Sequence, residues 1–143
     1  MLVIKKLAIA LTLLCVIASN SVSAADTSQK LFVNLTSDEI NRATMAIAIS
    51  TKVLTELEIP ATIYLSVEGV RIVDKNIPQQ KHANGKSLKE MLSAFMKKGG
   101  RVIVCGMCLE NIGGIKKDEV IEGVDFVGAL SALFEDGTTV LSY

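Results

Sequence analysis

The sequence predicts an α/β domain: a three-layer α/β/α sandwich with a mainly parallel five-stranded sheet. Short β-rich runs alternate with amphipathic helical patterns after residue 26, and this alternation is typical of a parallel sheet with helices on both faces. Half of the 143 residues are apolar, so the chain can bury a sizeable core. No repeat or long linker divides residues 25–143, which we predict to form a single domain.

The first 24 residues are predicted to be a cleavable signal peptide. Lys5 and Lys6 precede an apolar run at 7–18, and small residues follow as far as Ala24. This run of 12 residues is shorter than the roughly 20 residues that a membrane span needs. We therefore expect a periplasmic protein with no membrane segment after signal removal. The signal would take Cys15 and two basic residues with it, leaving two cysteines and a net charge of −2.

Charge and composition exclude several function classes. The 15 basic residues match the 15 acidic ones and form no basic stripe, so nucleic acid is not an expected partner. Trp is absent and other aromatic residues are sparse, which argues against a stacking platform for bases or sugars. Three cysteines are too few for a disulfide scaffold in a chain of this size. We expect neither a cofactor nor a bound metal.

The elements of the domain begin at residue 30. The β-rich run KLFVNL at 30–35 predicts the first strand. Thr36 and Glu39 have the spacing of a capping box, which predicts a helix over 38–57. The run ATIYLSV at 61–67 predicts the second strand.

The middle of the chain predicts a loop and a second helix. Residues 71–85 are the most polar stretch and are expected to form the loop. Ser87 and Glu90 make a second capping box. The apolar residues that follow have helical spacing: Leu88, Met91, Leu92, Phe95 and Met96. A glycine pair at 99–100 is expected to end this helix.

The last third of the chain predicts three more strands. The apolar run RVIVC at 101–105 is the third, and a helical turn is expected between it and Gly113. Residues 124–127 are predicted to be the fourth strand, 129–134 a short helix, and 138–142 the final strand.

The segment Cys105-Gly106-Met107-Cys108 carries the chemistry that the sequence suggests. Cys105 follows an apolar strand, and parallel sheets bind ligands at the carboxyl ends of their strands. A cysteine there, at the start of a helical turn, is close to backbone N–H groups that lower its thiol pKa. The thiolate can attack sulfur, hold it as a persulfide, or form a disulfide with Cys108. Cys105 and Cys108 are therefore the candidate catalytic residues.

Four interpretations of this segment remain open from the residues alone. Thioredoxin-like proteins place CxxC after the first central strand and need a facing proline, whereas here it follows the third strand and no proline occurs after Pro78. A structural zinc needs four ligands, and one CxxC supplies two. Both thiols could also be buried and inert. The fourth interpretation is sulfur handling by a nucleophilic cysteine.

Other residues are weaker candidates for ligand binding. Glu68 could face the thiols where strand ends converge, although a glutamate at a strand end is usually exposed. Gly113 and Gly114 could let the backbone approach a ligand, although a plain helix stop is the more usual reason for such a pair. His82, the only histidine, could be a ligand or a base, and the lysine pair at 116–117 could attract an anion.

Three blocks of residues together resemble a known family. They are I-Y-L-S-V-E-G-V at 63–70, R-V-I-V-C-G-M-C at 101–108 and G-V-D-F-V-G at 123–128. In this order they resemble the DsrE/DsrF-like family, which includes the sulfur-relay TusD proteins. The resemblance covers nearly all of residues 30–143, and it implies a compact α/β/α domain that commonly assembles into dimers, trimers or hexamers.

The resemblance also implies a function and a carrier residue. Relay members of the family hold sulfur as a persulfide on a cysteine that lies eight positions before a glycine. Counting back from Gly113 gives Cys105, with Cys108 as a resolving or auxiliary thiol. Ile112 stands where the family often has arginine, and the relay branch works in the cytoplasm, unlike this chain with its export signal.

The resemblance thus implies an exported, sulfurtransferase-like sulfur carrier that forms a homo-oligomer and exchanges sulfur with a donor or acceptor protein. Two alternatives are retained. One is a non-catalytic binding or assembly module with the same fold, and the other is a CxxC thiol–disulfide redox protein.

Overall fold

The computed structural model describes residues 28–143, and the predicted signal peptide lies outside them. The strands are Lys30–Leu35 (β1), Ala61–Leu65 (β2), Arg101–Val104 (β3) and Thr138–Ser142 (β4). The α-helices are Ile40–Glu56 (α1), Leu88–Lys97 (α2), Gly106–Cys108 (α3) and Ala129–Leu133 (α4). Helical turns of other types span Val67–Val73, Leu109–Gly113 and Lys117–Glu119. Across residues 28–143, no helix combines the length and the apolar character that crossing a membrane requires.

The four strands form one parallel sheet in the order β3-β2-β1-β4. The connections from β1 to β2 and from β2 to β3 run in the same direction across the sheet, so right-handed crossovers place α1 and α2 on the same face. The connection from β3 to β4 runs the other way, and α4 accordingly lies over the opposite face, against Phe32 and Tyr64. The predicted α/β class with a parallel sheet is confirmed.

The main core lies between the sheet and the pair α1 and α2. Alternate strand residues point into it, as period-2 side-chain geometry requires, and the helices add their apolar faces. Phe95 of α2 is fully buried, and its ring lies directly over Gly100. A side chain at Gly100 would occupy the space of that ring, which explains the second glycine of the pair that follows α2.

One predicted capping box is present and the other is not. Ser87 Oγ accepts from the Glu90 N–H at 3.2 Å, and Glu90 Oε2 accepts from the Ser87 N–H at 2.7 Å. The predicted Thr36 cap is wrong, because the Thr36 hydroxyl donates to the Tyr143 carbonyl at 2.7 Å instead. Glu39 caps α1 through its own carboxylate, which accepts from two backbone N–H groups of the first turn and has its pKa lowered by them.

We expect Ser87→Ala to lower the free energy of unfolding by about 1 kcal/mol, because it leaves a first-turn N–H of α2 without its side-chain acceptor. Ser93→Ala in the same helix is the matched control and should change it by less than about 0.5 kcal/mol. The Ser87 N–H lowers the pKa of Glu90. The Glu90 half of the box is therefore present at neutral pH and is lost as the pH falls through that lowered pKa. Urea unfolding of Ser87→Ala and Ser93→Ala measures the difference in the free energy of unfolding, and equal effects would contradict the capping role of Ser87.

The predicted fourth strand, at 124–127, is wrong. Within this run, Asp125 alone pairs with β3. Its N–H donates to the Val102 carbonyl and its carbonyl accepts from the Val104 N–H, both at 2.8 Å. Gly123 and Gly128 flank this single bridge with φ of 88° and 87°. Such positive φ values turn the chain out of the extended conformation on each side. Within residues 28–143 the sheet therefore has four strands, and the one α-helix of the third layer is the five-residue α4.

Candidate functional site

Cys105 lies where β3 ends, at the carboxyl edge of the sheet. Its backbone N–H donates to the Leu65 carbonyl at the end of β2, at 2.9 Å, so the backbone is fixed between two strands. Its carbonyl accepts from the Leu109 N–H at 2.8 Å as the chain enters α3. Cys105 is therefore the N-cap residue of α3, and its side chain is partly exposed.

The two cysteines of the motif are joined by a disulfide. Their Cα atoms are 5.2 Å apart, a separation that a disulfide can bridge without backbone movement. The Cys108 N–H also lies 3.2 Å from Cys105 Sγ, in the position of a hydrogen-bond donor to that sulfur. Cys108 is only 9% exposed and packs into the main core. The two cysteines are thus unequal, because Cys105 is partly exposed and Cys108 is buried in the core.

A cavity of about 370 Å³ adjoins Cys105 on the α4 side of the sheet. Strand alternation places Cys105 on the same face as Ile103, and register with β2 places Tyr64 beside Ile103. The cavity lies between this face and residues 126–131. Its walls include Tyr64, Ile103, Cys105, Met107, Phe126 and Leu130. Cys108 does not line this cavity.

The far wall of the cavity is held by Arg101, which is the first residue of β3. Arg101 Nε is 2.8 Å from Asp125 Oδ2, and Nη2 donates to the Val127 carbonyl at 3.2 Å. Lys117 Nζ lies 5.4 Å from the centre of the Phe126 ring, a cation–π arrangement. The sequence offered Lys117 only as a weak candidate for attracting an anion, and it did not indicate Arg101, Asp125 or Phe126 as site residues. The G-V-D-F-V-G block was the sequence signal for Asp125 and Phe126, and their contacts depend on how closely residues 125–128 pack against β3.

Val67 is a second feature of this edge that the sequence did not indicate. The predicted second strand ends at Leu65, two residues early, and Val67 has a φ of 51°. A β-branched residue rarely adopts such a conformation, which costs free energy and is found mostly at functional sites. Val67 begins the turn Val67–Val73, which contacts α3. The preceding residue, Ser66, donates its hydroxyl to Asn34 Oδ1 at 2.7 Å.

Comparison with known proteins identifies the family of this fold and site. A family model described as the DsrE/DsrF-like family matches residues 23–143. The chain belongs to the DsrE/DsrF-like family. Its structure is similar to the crystal structure of the ychN protein from E. coli, with a TM-score of 0.56 and 21% identity, over 80% of this chain and 99% of that one. No curated protein matches the chain. The resemblance that the sequence indicated is confirmed.

The weaker candidates occupy different places in this DsrE/DsrF-like chain. Glu68 is exposed on the turn after β2, at the same edge of the sheet as Cys105. Gly114 ends the Leu109–Gly113 turn with a φ of 65°. A Cβ on Gly113 would lie 2.8 Å from Ile115 Cδ1, so close packing against that side chain accounts for this glycine.

The histidine does not join the cysteines. His82 Nδ1 lies 3.5 Å from the Asn84 N–H within a turn, and His82 does not line the cavity beside Cys105. Of the two lysines, Lys117 approaches that cavity through Phe126. Within residues 28–143, no group of three or more His, Cys, Asp or Glu side chains is arranged to hold a metal ion.

Proposed function

We propose that this DsrE/DsrF-like protein is a sulfur carrier that accepts sulfane sulfur on Cys105 as a persulfide and passes it to an acceptor thiol. One observation carries the proposal: Cys105 is partly exposed beside a cavity, at the carboxyl edge of a parallel sheet, with a backbone N–H 3.2 Å from its Sγ. Family membership supports a sulfur-relay type of function.

The loading step begins from the reduced pair. The Cys108 N–H lies 3.2 Å from Cys105 Sγ, and a donor in that position stabilises a thiolate on Cys105 once the disulfide is reduced. The Cys105 thiolate attacks the outer sulfur of a donor persulfide. The sulfur–sulfur bond of the donor breaks, a new one forms on Cys105, and the donor leaves as a thiolate. Transfer to an acceptor thiolate is the same exchange in reverse, so no oxidant or reductant is consumed.

The disulfide supports a second candidate function, which is thiol–disulfide exchange. Cys108 lies close enough to Cys105 for the pair to alternate between dithiol and disulfide. A redox protein of this kind would reduce the disulfides of insulin when supplied with a reductant. It would also need both cysteines, whereas sulfur carriage needs only Cys105.

The test of sulfur carriage loads the reduced protein with a low-molecular-weight persulfide and follows its intact mass. We expect a gain equal to one sulfur atom, mapped to Cys105 by peptide analysis, and a loss of that gain on addition of an acceptor thiol. Insulin reduction is measured on the same preparation. Insulin reduction without bound sulfur would favour the redox function, and neither activity would favour a non-catalytic module.

We propose that the protein acts in the periplasm after removal of residues 1–24. The support is the pattern of the first segment, in which two lysines precede an apolar run and small residues end it. In an oxidising compartment the Cys105–Cys108 pair persists as a disulfide unless something reduces it. Sequencing the amino terminus of the protein recovered from a periplasmic extract tests this, and we expect it to begin near Ala25.

We also propose that copies of this chain assemble through the α4 face of the sheet. Four large apolar side chains are exposed there: Val127 (76%), Leu130 (72%), Phe134 (80%) and Val140 (48%). Val127 and Leu130 line the cavity beside Cys105, and Leu130 and Val140 line a second one of about 280 Å³, so these three side chains lie along one continuous surface. Extended apolar patches on a soluble protein commonly mark an interaction surface.

We expect the double variant Leu130→Asp, Phe134→Asp to shift the protein to a monomer, because it would bury two unpaired carboxylates in the interface. Size-exclusion chromatography with light scattering measures the mass. Leu57→Asp is the matched control, since Leu57 is 63% exposed but follows α1, away from the α4 face. A wild-type monomer, or an oligomer that survives the double change, would contradict the assembly proposal.

A further inference from the structure

We propose that the disulfide form is itself a sulfur acceptor: hydrosulfide attacks Cys105 Sγ and leaves the sulfur there as a persulfide. This inference rests on the proposed carrier function of Cys105, and it adds a substrate class, inorganic sulfide, and a role for the oxidised protein. In the carrier step above, only the reduced pair accepts sulfur, and the disulfide would be inactive.

The unequal surroundings of the two sulfurs determine which one is attacked. Thiol–disulfide exchange proceeds in line, with the nucleophile approaching one sulfur from the side opposite the other, and its rate depends on access. Cys105 lines the 370 Å³ cavity, whereas Cys108 does not line it and is only 9% exposed within the core. A small nucleophile in the cavity therefore reaches Cys105 Sγ, and Cys108 Sγ is the leaving group.

The step balances without a further reactant. Hydrosulfide forms a bond to Cys105 Sγ, the Cys105–Cys108 bond breaks, and its electron pair leaves on Cys108 as a thiolate. The products are a persulfide on Cys105 and a reduced Cys108, and the total charge is unchanged. The disulfide is reduced as the sulfide is oxidised to the sulfane level. Each disulfide takes up one sulfur atom, so the reaction is stoichiometric with the protein.

The chemical class of the nucleophile follows from the persulfide that it must leave on Cys105 and from the lining of the cavity. A thiol with a carbon substituent would leave a mixed disulfide on Cys105, whereas hydrosulfide leaves a terminal sulfur that an acceptor can remove. Hydrosulfide is a small anion, and the Lys117 ammonium lies 5.4 Å from the centre of the Phe126 ring, which forms part of the cavity wall. The mainly apolar walls of the cavity suit a small, polarisable sulfur species.

The experiment treats the fully oxidised protein with one equivalent of polysulfide-free sodium sulfide under anaerobic conditions, followed at once by a thiol-alkylating reagent. We expect one added sulfur atom per chain, mapped to Cys105, together with an alkylated Cys108. Sulfide is limited to one equivalent, because excess hydrosulfide would remove the persulfide by the same exchange chemistry. An unchanged disulfide, two reduced cysteines without bound sulfur, or sulfur mapped to Cys108 would each overturn the inference.

Two parallel samples separate this inference from the carrier function on which it rests. The reduced wild type is treated with a low-molecular-weight persulfide. The Cys108→Ser protein is divided, and one portion is treated with the persulfide and the other with sulfide. We expect Cys108→Ser to accept sulfur from the persulfide but not from sulfide, because without a disulfide hydrosulfide finds no electrophilic sulfur. If persulfide loads Cys105 while sulfide fails with the oxidised protein, the inference is wrong and the carrier function stands. If neither reagent loads the wild type, the carrier function fails as well.

Discussion

Replacing Cys105 with serine should reduce persulfide-dependent sulfur uptake to background, whereas replacing Cys108 should leave most of it. Of the two cysteines, Cys105 is the one that lines the cavity, and a serine hydroxyl cannot form a persulfide. Cys108 lies in the core and serves as the disulfide partner, so its loss removes disulfide formation but not the accepting sulfur. The measurement is the intact mass of each reduced variant after exposure to a low-molecular-weight persulfide.

Both variants also need a folding control, because the two positions contact the core. Thermal unfolding of the reduced proteins should show Cys108→Ser to be less stable than Cys105→Ser, since a hydroxyl is more costly to bury than to expose. A folded Cys105→Ser protein that accumulates sulfur as well as wild type does would refute the assignment of the carrier. Complete loss in a folded Cys108→Ser protein would instead favour the redox function, which needs both thiols.

Gly69→Ala should destabilise the fold by about 3 kcal/mol, at the upper end of the range for overpacking. Gly69 is buried in the turn after β2, and its N–H donates to the Ser66 carbonyl at 3.0 Å and the Thr36 carbonyl at 3.1 Å. A Cβ at this position would overlap the Leu35 carbonyl oxygen. Because that oxygen belongs to the backbone of β1 and cannot rotate away, the Val67–Val73 turn would have to move from the sheet edge.

Gly106→Ala is the matched control for this substitution. A Cβ on Gly106 meets no atom within 4 Å, and Gly106 lies in a helical conformation. Alanine there should be neutral or stabilising by up to about 1 kcal/mol. Chemical denaturation of both variants gives the comparison. A Gly69→Ala protein as stable as Gly106→Ala would show that the sheet edge is not packed as described.

The parts of the fold that the sequence predicted are those with strong local signals. The bounds of β1 and β4 match the predicted runs, and Ser87 and Glu90 form the predicted capping box because both partners lie within one turn of α2. The parallel sheet followed from alternating element types, and the family from three blocks of residues. The position of Cys105 at a strand end followed from the apolar run before it.

The missed features depend on contacts between distant parts of the chain. Thr36 has the composition of a cap, but its hydroxyl donates to Tyr143, 107 positions away. The run at 124–127 has the composition of a strand, yet turns at Gly123 and Gly128 limit it to one bridge. The walls of the cavity beside Cys105 come from β2, β3 and the α4 segment, and no local pattern reports how these meet.

The most direct test of the central claim is the intact mass of this protein isolated from its own cells, with free thiols blocked at lysis and no reductant added. The account predicts a population that is heavier by one sulfur atom, mapped to Cys105 and lost on reduction. If every molecule carries only a plain Cys105–Cys108 disulfide or two unmodified thiols, while a persulfide added at lysis as a standard is recovered, the carrier function is contradicted.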